Sequence, residues 1–142
     1  MENPKSVFDL FDHDDNFSFI MKRMLEASME ESFNAIIITK ASQGYPIEYA
    51  NPAFCEMTGY GIHEILGKSP AILQGEKTDP TVIQQLDEDI KAGRLFHGRA
   101  VNYRRDGSTF MMEWKIVPIT GKDGKASHYL AIQRDVTERE RQ

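Results

Sequence analysis

Apolar side chains at Phe17, Ile20, Met21, Met24, Leu25 and Met29 recur at the i, i+3, i+4, i+7 spacing of one helix face. This predicts an amphipathic helix from Phe17 to about Ser32, with Asp15 or Asn16 as its cap, after a polar, acidic arm. Ala35–Thr39 and Pro46–Ala50 are short β-rich runs flanking Ser42-Gln43-Gly44-Tyr45, the pattern of a hairpin. A short helix follows from Asn51 to about Met57, stopped by Thr58-Gly59-Tyr60, and a further helical turn runs from Gly61 to Leu66. Asp79 and Pro80 start a longer helix that carries Val82, Ile83, Leu86 and Ile90 on one face and stops at Gly93. Three alternating strands complete the chain, at about Phe96–Arg104, Thr109–Ile119 and Ser127–Arg134, joined by Asp-Gly turns. The order β-β-α-α-α-β-β-β predicts an α+β domain on a five-stranded antiparallel sheet, with short helices on one face and an N-terminal cap helix.

The chain's 142 residues allow one domain with a real core, divided here as an arm and cap helix (1–32), a globular domain (33–137) and the start of a C-terminal helix (138–142). A net charge of −5 argues against a nucleic-acid footprint, which wants a basic face. No apolar run approaches the ~20 residues of a membrane span, so no membrane is expected as a partner. A single cysteine excludes an internal disulfide and points to a reducing, cytoplasmic setting.

Candidate chemistry is thin by residue type alone. His13, His63, His97 and His128 are scattered, none at metal-ligand spacing with Cys55 or a carboxylate cluster. Gly61 to Gly67-Lys68-Ser69 has one residue too many between its glycines for a P-loop, and no buried strand precedes it. Cys55 is expected as a small core side chain. Arg104-Arg105-Asp106 is expected as a solvated hairpin tip. No nucleophile–base or acid–base pair can be assembled, so an enzyme is not expected.

Tyr49-Ala50-Asn51-Pro52-Ala53-Phe54, Thr58-Gly59-Tyr60, Glu64-Ile65-Leu66-Gly67, Asn102–Gly107 and Asp135-Val136-Thr137-Glu138-Arg139 together resemble the PAS sensor superfamily from about Phe33 to Arg139. Gly67-Lys68-Ser69-Pro70-Ala71-Ile72-Leu73-Gln74-Gly75 is similar to the signature of its light-oxygen-voltage (LOV) branch, Gly-x-Asn-Cys-Arg-Phe-Leu-Gln-Gly. In that branch the cysteine forms a photoadduct with a bound flavin. Here Ser69, Pro70 and Ala71 stand where the pattern has Asn, Cys and Arg. Proline has no thiol, so the resemblance implies a LOV-like frame without the cysteinyl-flavin photocycle.

The same resemblance places a candidate cofactor site at Gln74, Asn102 and Gln133, whose amides could satisfy the polar edge of a flavin. Ser69 belongs to the same loop. Met112 stands where a second edge asparagine is expected, and Ala71 and Asp87 stand where two phosphate-binding arginines are expected. Losing two such contacts, each worth ~1.5–3 kcal/mol, weakens FMN by orders of magnitude and affects riboflavin or a differently docked FAD less. By strand parity Gly98 and Ala100 share a face with Asn102, Phe110, Trp114 and Ile116 with Met112, and Tyr129 and Ala131 with Gln133. Trp114 and its aromatic neighbours either sandwich a planar ligand or fill the core. Haem-binding PAS sensors use a histidine on or near the long helix; residues 81–91 have none and only His97 lies near, which argues against haem.

The expected function is a regulatory sensor that signals through dimerisation or partner contacts; the alternative is a cysteine-free flavin sensor of blue light or redox state. The Phe17–Met29 stripe covers either the domain's own sheet or the interface of a homodimer. Few residues follow Thr137, so the effector is either a truncated domain or a separate signalling protein.

Overall fold

A computed structural model describes residues 16–140, so the acidic arm and the expected cap at Asp15 lie outside the described residues. The chain divides after Glu31 into two units. The first carries helix α1 (Phe17–Glu30), none of whose residues is buried. Phe19, Met24 and Leu25 are exposed along it. No described helix is long and apolar enough to cross a membrane.

The second unit is the predicted α+β domain. Strands β1 (Ala35–Lys40), β2 (Ile47–Ala50), β3 (Phe96–Tyr103), β4 (Thr109–Thr120) and β5 (Ala126–Asp135) form one sheet in the order β2-β1-β5-β4-β3. Every neighbouring pair is antiparallel. Between β2 and β3 the chain forms α2 (Pro52–Thr58), α3 (Ile62–Ile65), a 3₁₀ turn (Pro70–Leu73) and α4 (Pro80–Lys91); α5 (Thr137–Glu140) follows β5. Boundaries differ from the sequence expectation by one or two residues. Pro118 sits in β4 beyond the last residue paired with β3, where the missing N–H leaves no ladder bond unmade.

Three helical segments open on the same device. Asn51, Ser69 and Asp79 accept hydrogen bonds from Phe54, Ala71 and Thr81 N–H, and each is followed by proline at the first helical position. Asn51 does more than cap. Its Oδ1 also accepts from Ile36 N–H at 2.8 Å, and its Nδ2 donates to Asn34 C=O at 3.0 Å, tying β1 to the start of α2. Gly59, in the left-handed region at φ 79°, ends α2.

Inward-facing strand residues Phe96, Phe110, Met112 and Trp114 pack with Phe54 and Leu73 from the helical layer. Phe96 and Trp114 meet with ring centroids 5.2 Å apart. Cys55 departs from expectation: it lies half-buried on α2 and is not a core residue. So do the arginines of the β3–β4 turn. Arg105 donates to Glu64 Oε2 at 2.6 Å and its N–H to Thr58 C=O at 2.9 Å. Arg104 pairs with Asp135 at 2.8 Å and covers the Phe110 ring at 4.7 Å. The tip is exposed from Arg105 to Ser108, as expected, but its arginines also clasp α2, α3 and the end of β5.

One carboxylate breaks the polarity of the sheet. Glu113 is only 8% exposed and meets Arg134 at 2.6 Å, Arg99 at 3.1 Å and His97 at 3.2 Å. Hydrogen bonds from Arg134, then Arg99, hold its pKa down at about 2.

Two outcomes follow for stability. Asn51→Ala strands the buried Ile36 N–H and removes the α2 cap, and is expected to lower unfolding free energy by about 2–3 kcal/mol in urea titration. Glu113 has a depressed folded pKa, so its contribution is full above the ordinary carboxylate range and is lost as pH falls toward about 2. Melting temperatures between pH 7 and 2 should therefore fall less on acidification in Glu113→Gln than in the parent protein, although the variant starts lower.

Candidate functional site

Between the inner sheet face, the 3₁₀ turn and α4 lies a cavity of about 270 Å³. All six residues singled out from the sequence, Ser69, Gln74, Asn102, Met112, Trp114 and Gln133, line it. Strand pairing sets the far wall. Trp114 stands in register between Gly98 of β3 and Gln133 of β5. Met112 and Ile116 continue the β4 wall, and Tyr129 and Ala131 the β5 wall. Phe110, Ala100 and Gly98 share the parity but do not line the cavity. Phe110 is instead buried beneath Arg104. Trp114 fills both roles weighed from the sequence: it is 5% exposed in the core and presents a face to the cavity.

The opposite wall is the Ser69–Gln74 segment. Ser69 Oγ accepts from Ala71 N–H at 3.1 Å, so that hydroxyl is engaged in starting the turn. Pro70 occupies the first position of the turn and lines the cavity beside Ala71 and Leu73. Gln74 is held from behind. A Cβ on Gly75 would fall 2.4 Å from the Tyr103 ring, so only glycine permits that approach. Tyr103 Oη in turn accepts from Lys77 N–H at 2.9 Å, and Thr78 Oγ1 donates to Val101 C=O at 2.7 Å, fixing the loop to β3.

Two of the three cavity amides are buried and Gln74 is half-buried. Asn102 is 2% exposed and its Nδ2 donates to Ala100 C=O at 3.2 Å. Gln133 is 3% exposed, and its Oε1 is buried without a hydrogen-bond partner. A buried acceptor left unpaired costs about 1–3 kcal/mol, which a ligand or water presenting a donor offsets. Asp87 of α4 is the only charged side chain on the cavity among the described residues.

Among the described residues no sulfur nucleophile lines the cavity; Cys55 lies on α2, and partial burial raises its thiol pKa. No described histidine lines it either, His97 being bonded to Glu113. No group of three or more possible metal ligands occurs among the described residues. Sequence reasoning missed Tyr45, whose ring meets Tyr129 edge-on at 5.7 Å and lines the cavity. It sits at φ 49° after Gly44, and nothing in a turn motif marks a side chain that folds back inward.

As a test of fit, a cavity near the ~300 Å³ lower end of ligand pockets suits a flat heteroaromatic ring. Three amides and an orphaned acceptor suit its polar edge. Asp87 does not suit a phosphate.

The sequence matches the PAS domain family over residues 34–138, and the chain belongs to that family. It is 34% identical over 109 residues to a nitrogen fixation regulatory protein of Klebsiella oxytoca, covering 77% of this chain and 22% of that protein. It is 33% identical over 141 residues to protein TWIN LOV 1 of Arabidopsis thaliana, covering 98% of this chain and 35% of that protein. Among solved structures, a light-oxygen-voltage domain whose mechanism was probed with a flavin analogue superposes with a TM-score of 0.78 at 30% identity, over 85% of this chain and 90% of that one. The chain thus spans between about a fifth and about a third of the two relatives' length. It is a PAS domain with LOV relatives and LOV structural neighbours.

Proposed function

We propose that this domain is a sensory module that holds a flavin ring non-covalently and signals through its C-terminal strand. The observation that carries this reading is the unpaired, buried Gln133 Oε1 on the wall of a ring-sized cavity that Gln74 and Asn102 also line. Bound flavin supplies blue-light absorption and reversible redox chemistry. The chain's own residues bind it and pass on the change.

Trp114, Met112 and Leu73 contribute apolar contact with the ring, while the amides of Gln74, Asn102 and Gln133 orient its polar edge. Pro70 stands where the LOV pattern has its cysteine and has no thiol to add, so the signal is a change of hydrogen bonding rather than a covalent bond. Gln133 lies two residues before Asp135, whose Oδ1 accepts from Thr137 N–H at 2.9 Å and Oγ–H at 2.5 Å at the start of α5. Val136 N–H donates to Met111 C=O at 2.8 Å on the adjacent strand. A reorientation of the Gln133 amide thereby bears on a short path to α5, provided the ligand's two states bind unequally. Downstream contact runs through a dimer or a separate partner, for which the exposed apolar residues of α1 are one candidate surface. The module regulates and does not catalyse.

The first test is the visible absorbance of the protein before and after adding excess flavin. A bound-flavin band is expected that Cys55→Ser leaves unchanged, with unchanged response to blue light. A spectrum that stays featureless once unbound flavin has been removed by gel filtration would sink the flavin reading. Gln133→Leu is expected to retain the ring yet abolish any light-dependent change in hydrogen exchange at 135–140; a normal response there would remove Gln133 from the relay.

A further inference from the structure

Among the described residues that line the cavity, Asp87 is the one carboxylate, and no lysine, arginine or histidine is present. Asp87 is exposed on α4, one turn before the buried Ile90, so it stands at the solvent side while Gln133 and Asn102 stand at the closed side. A ring whose polar edge meets the amides therefore directs its substituent toward the wall that carries Asp87. About 270 Å³ holds a ring and little more, so that substituent extends outward past the carboxylate.

We infer that the cavity selects an unphosphorylated ring ligand, taking riboflavin in preference to FMN. This rests on the flavin reading above and adds a specificity to it. A phosphomonoester carries −1.5 to −2 charges near neutral pH and needs charged or N–H donors. Here no cation is found among the described lining residues, the lining amides are taken by the ring's polar edge, and the phosphate faces a carboxylate. A ribityl chain ending in a hydroxyl loses nothing to that neighbour and can donate to it. Asp87 excludes the wrong ligand by repulsion rather than by shape.

Equilibrium titration of the purified full chain with riboflavin and with FMN, followed by flavin fluorescence, tests this at low and at high salt. Riboflavin is expected to bind roughly tenfold tighter than FMN at low ionic strength, as one screened repulsion between like charges allows. The gap should narrow in high salt, with the riboflavin affinity unmoved. Asp87→Arg should invert the order, with far-ultraviolet circular dichroism as the folding control for this exposed position. FMN binding as tightly as riboflavin in the parent protein would overturn the selectivity while leaving the flavin reading intact. Failure of both ligands to bind would overturn the flavin reading itself.

Discussion

The position of β5 is the constraint on which the rest of the domain depends. It lies between β1 and β4, and its inner-face residues Tyr129, Ala131 and Gln133 pair with Thr39, Ile37 and Ala35 on one side and Pro118, Ile116 and Trp114 on the other. Because side chains alternate, a slip of one residue would turn Leu130, Ile132 and Arg134 inward instead. Arg134 would then lose Glu113 and face an apolar cavity. The ion cluster on one face and the apolar wall on the other thus enforce a single register from opposite sides. That register places Trp114 beside Gln133 and delivers Asp135 to the start of α5.

The layer opposite the sheet is built from short pieces that need external definition, since segments of four to twelve residues are marginal as helices alone. Asn51-Pro52, Ser69-Pro70 and Asp79-Pro80 supply it by pairing a capping oxygen with a preset φ. Pro70 is therefore not a mere deletion of a thiol. It suits the first position of the 3₁₀ turn, so the segment keeps Leu73 and Gln74 on the cavity wall while having no nucleophile to offer. Geometry and reactivity have been separated at one residue.

Much of this was legible from the chain. Helical spacing in α4, the caps, the turn glycines and strand parity located the strands and α-helices but not the 3₁₀ turn, while the LOV resemblance singled out the six candidate residues that line one cavity. Parity tells only which face a residue is on, not how deep it lies, which is why Phe110 was grouped with the wall yet packs under Arg104. Arg104 and Arg105 looked like a solvated tip because their partners, Asp135 and Glu64, are 31 and 41 residues away in sequence. Tyr45 was invisible for a related reason: a residue at positive φ in a turn has no periodic neighbour to reveal its direction. Local pattern carries local structure, and these three contacts are long-range.

The unpaired Gln133 acceptor then gains a functional meaning. A buried amide with one end unsatisfied is a destabilised element of an otherwise well-bonded sheet, and any ligand that supplies a donor stabilises the folded domain in proportion to its occupancy. The same amide sits two residues from a junction held by Asp135 through α5 on one side and Arg104 on the other. Arg104 also reaches Met57 C=O on α2 at 3.3 Å, so the junction is braced against the helical layer and not only against the sheet. Under the proposed reading, a change in the hydrogen bonding of Gln133 acts on this braced strand end and through it on the start of α5.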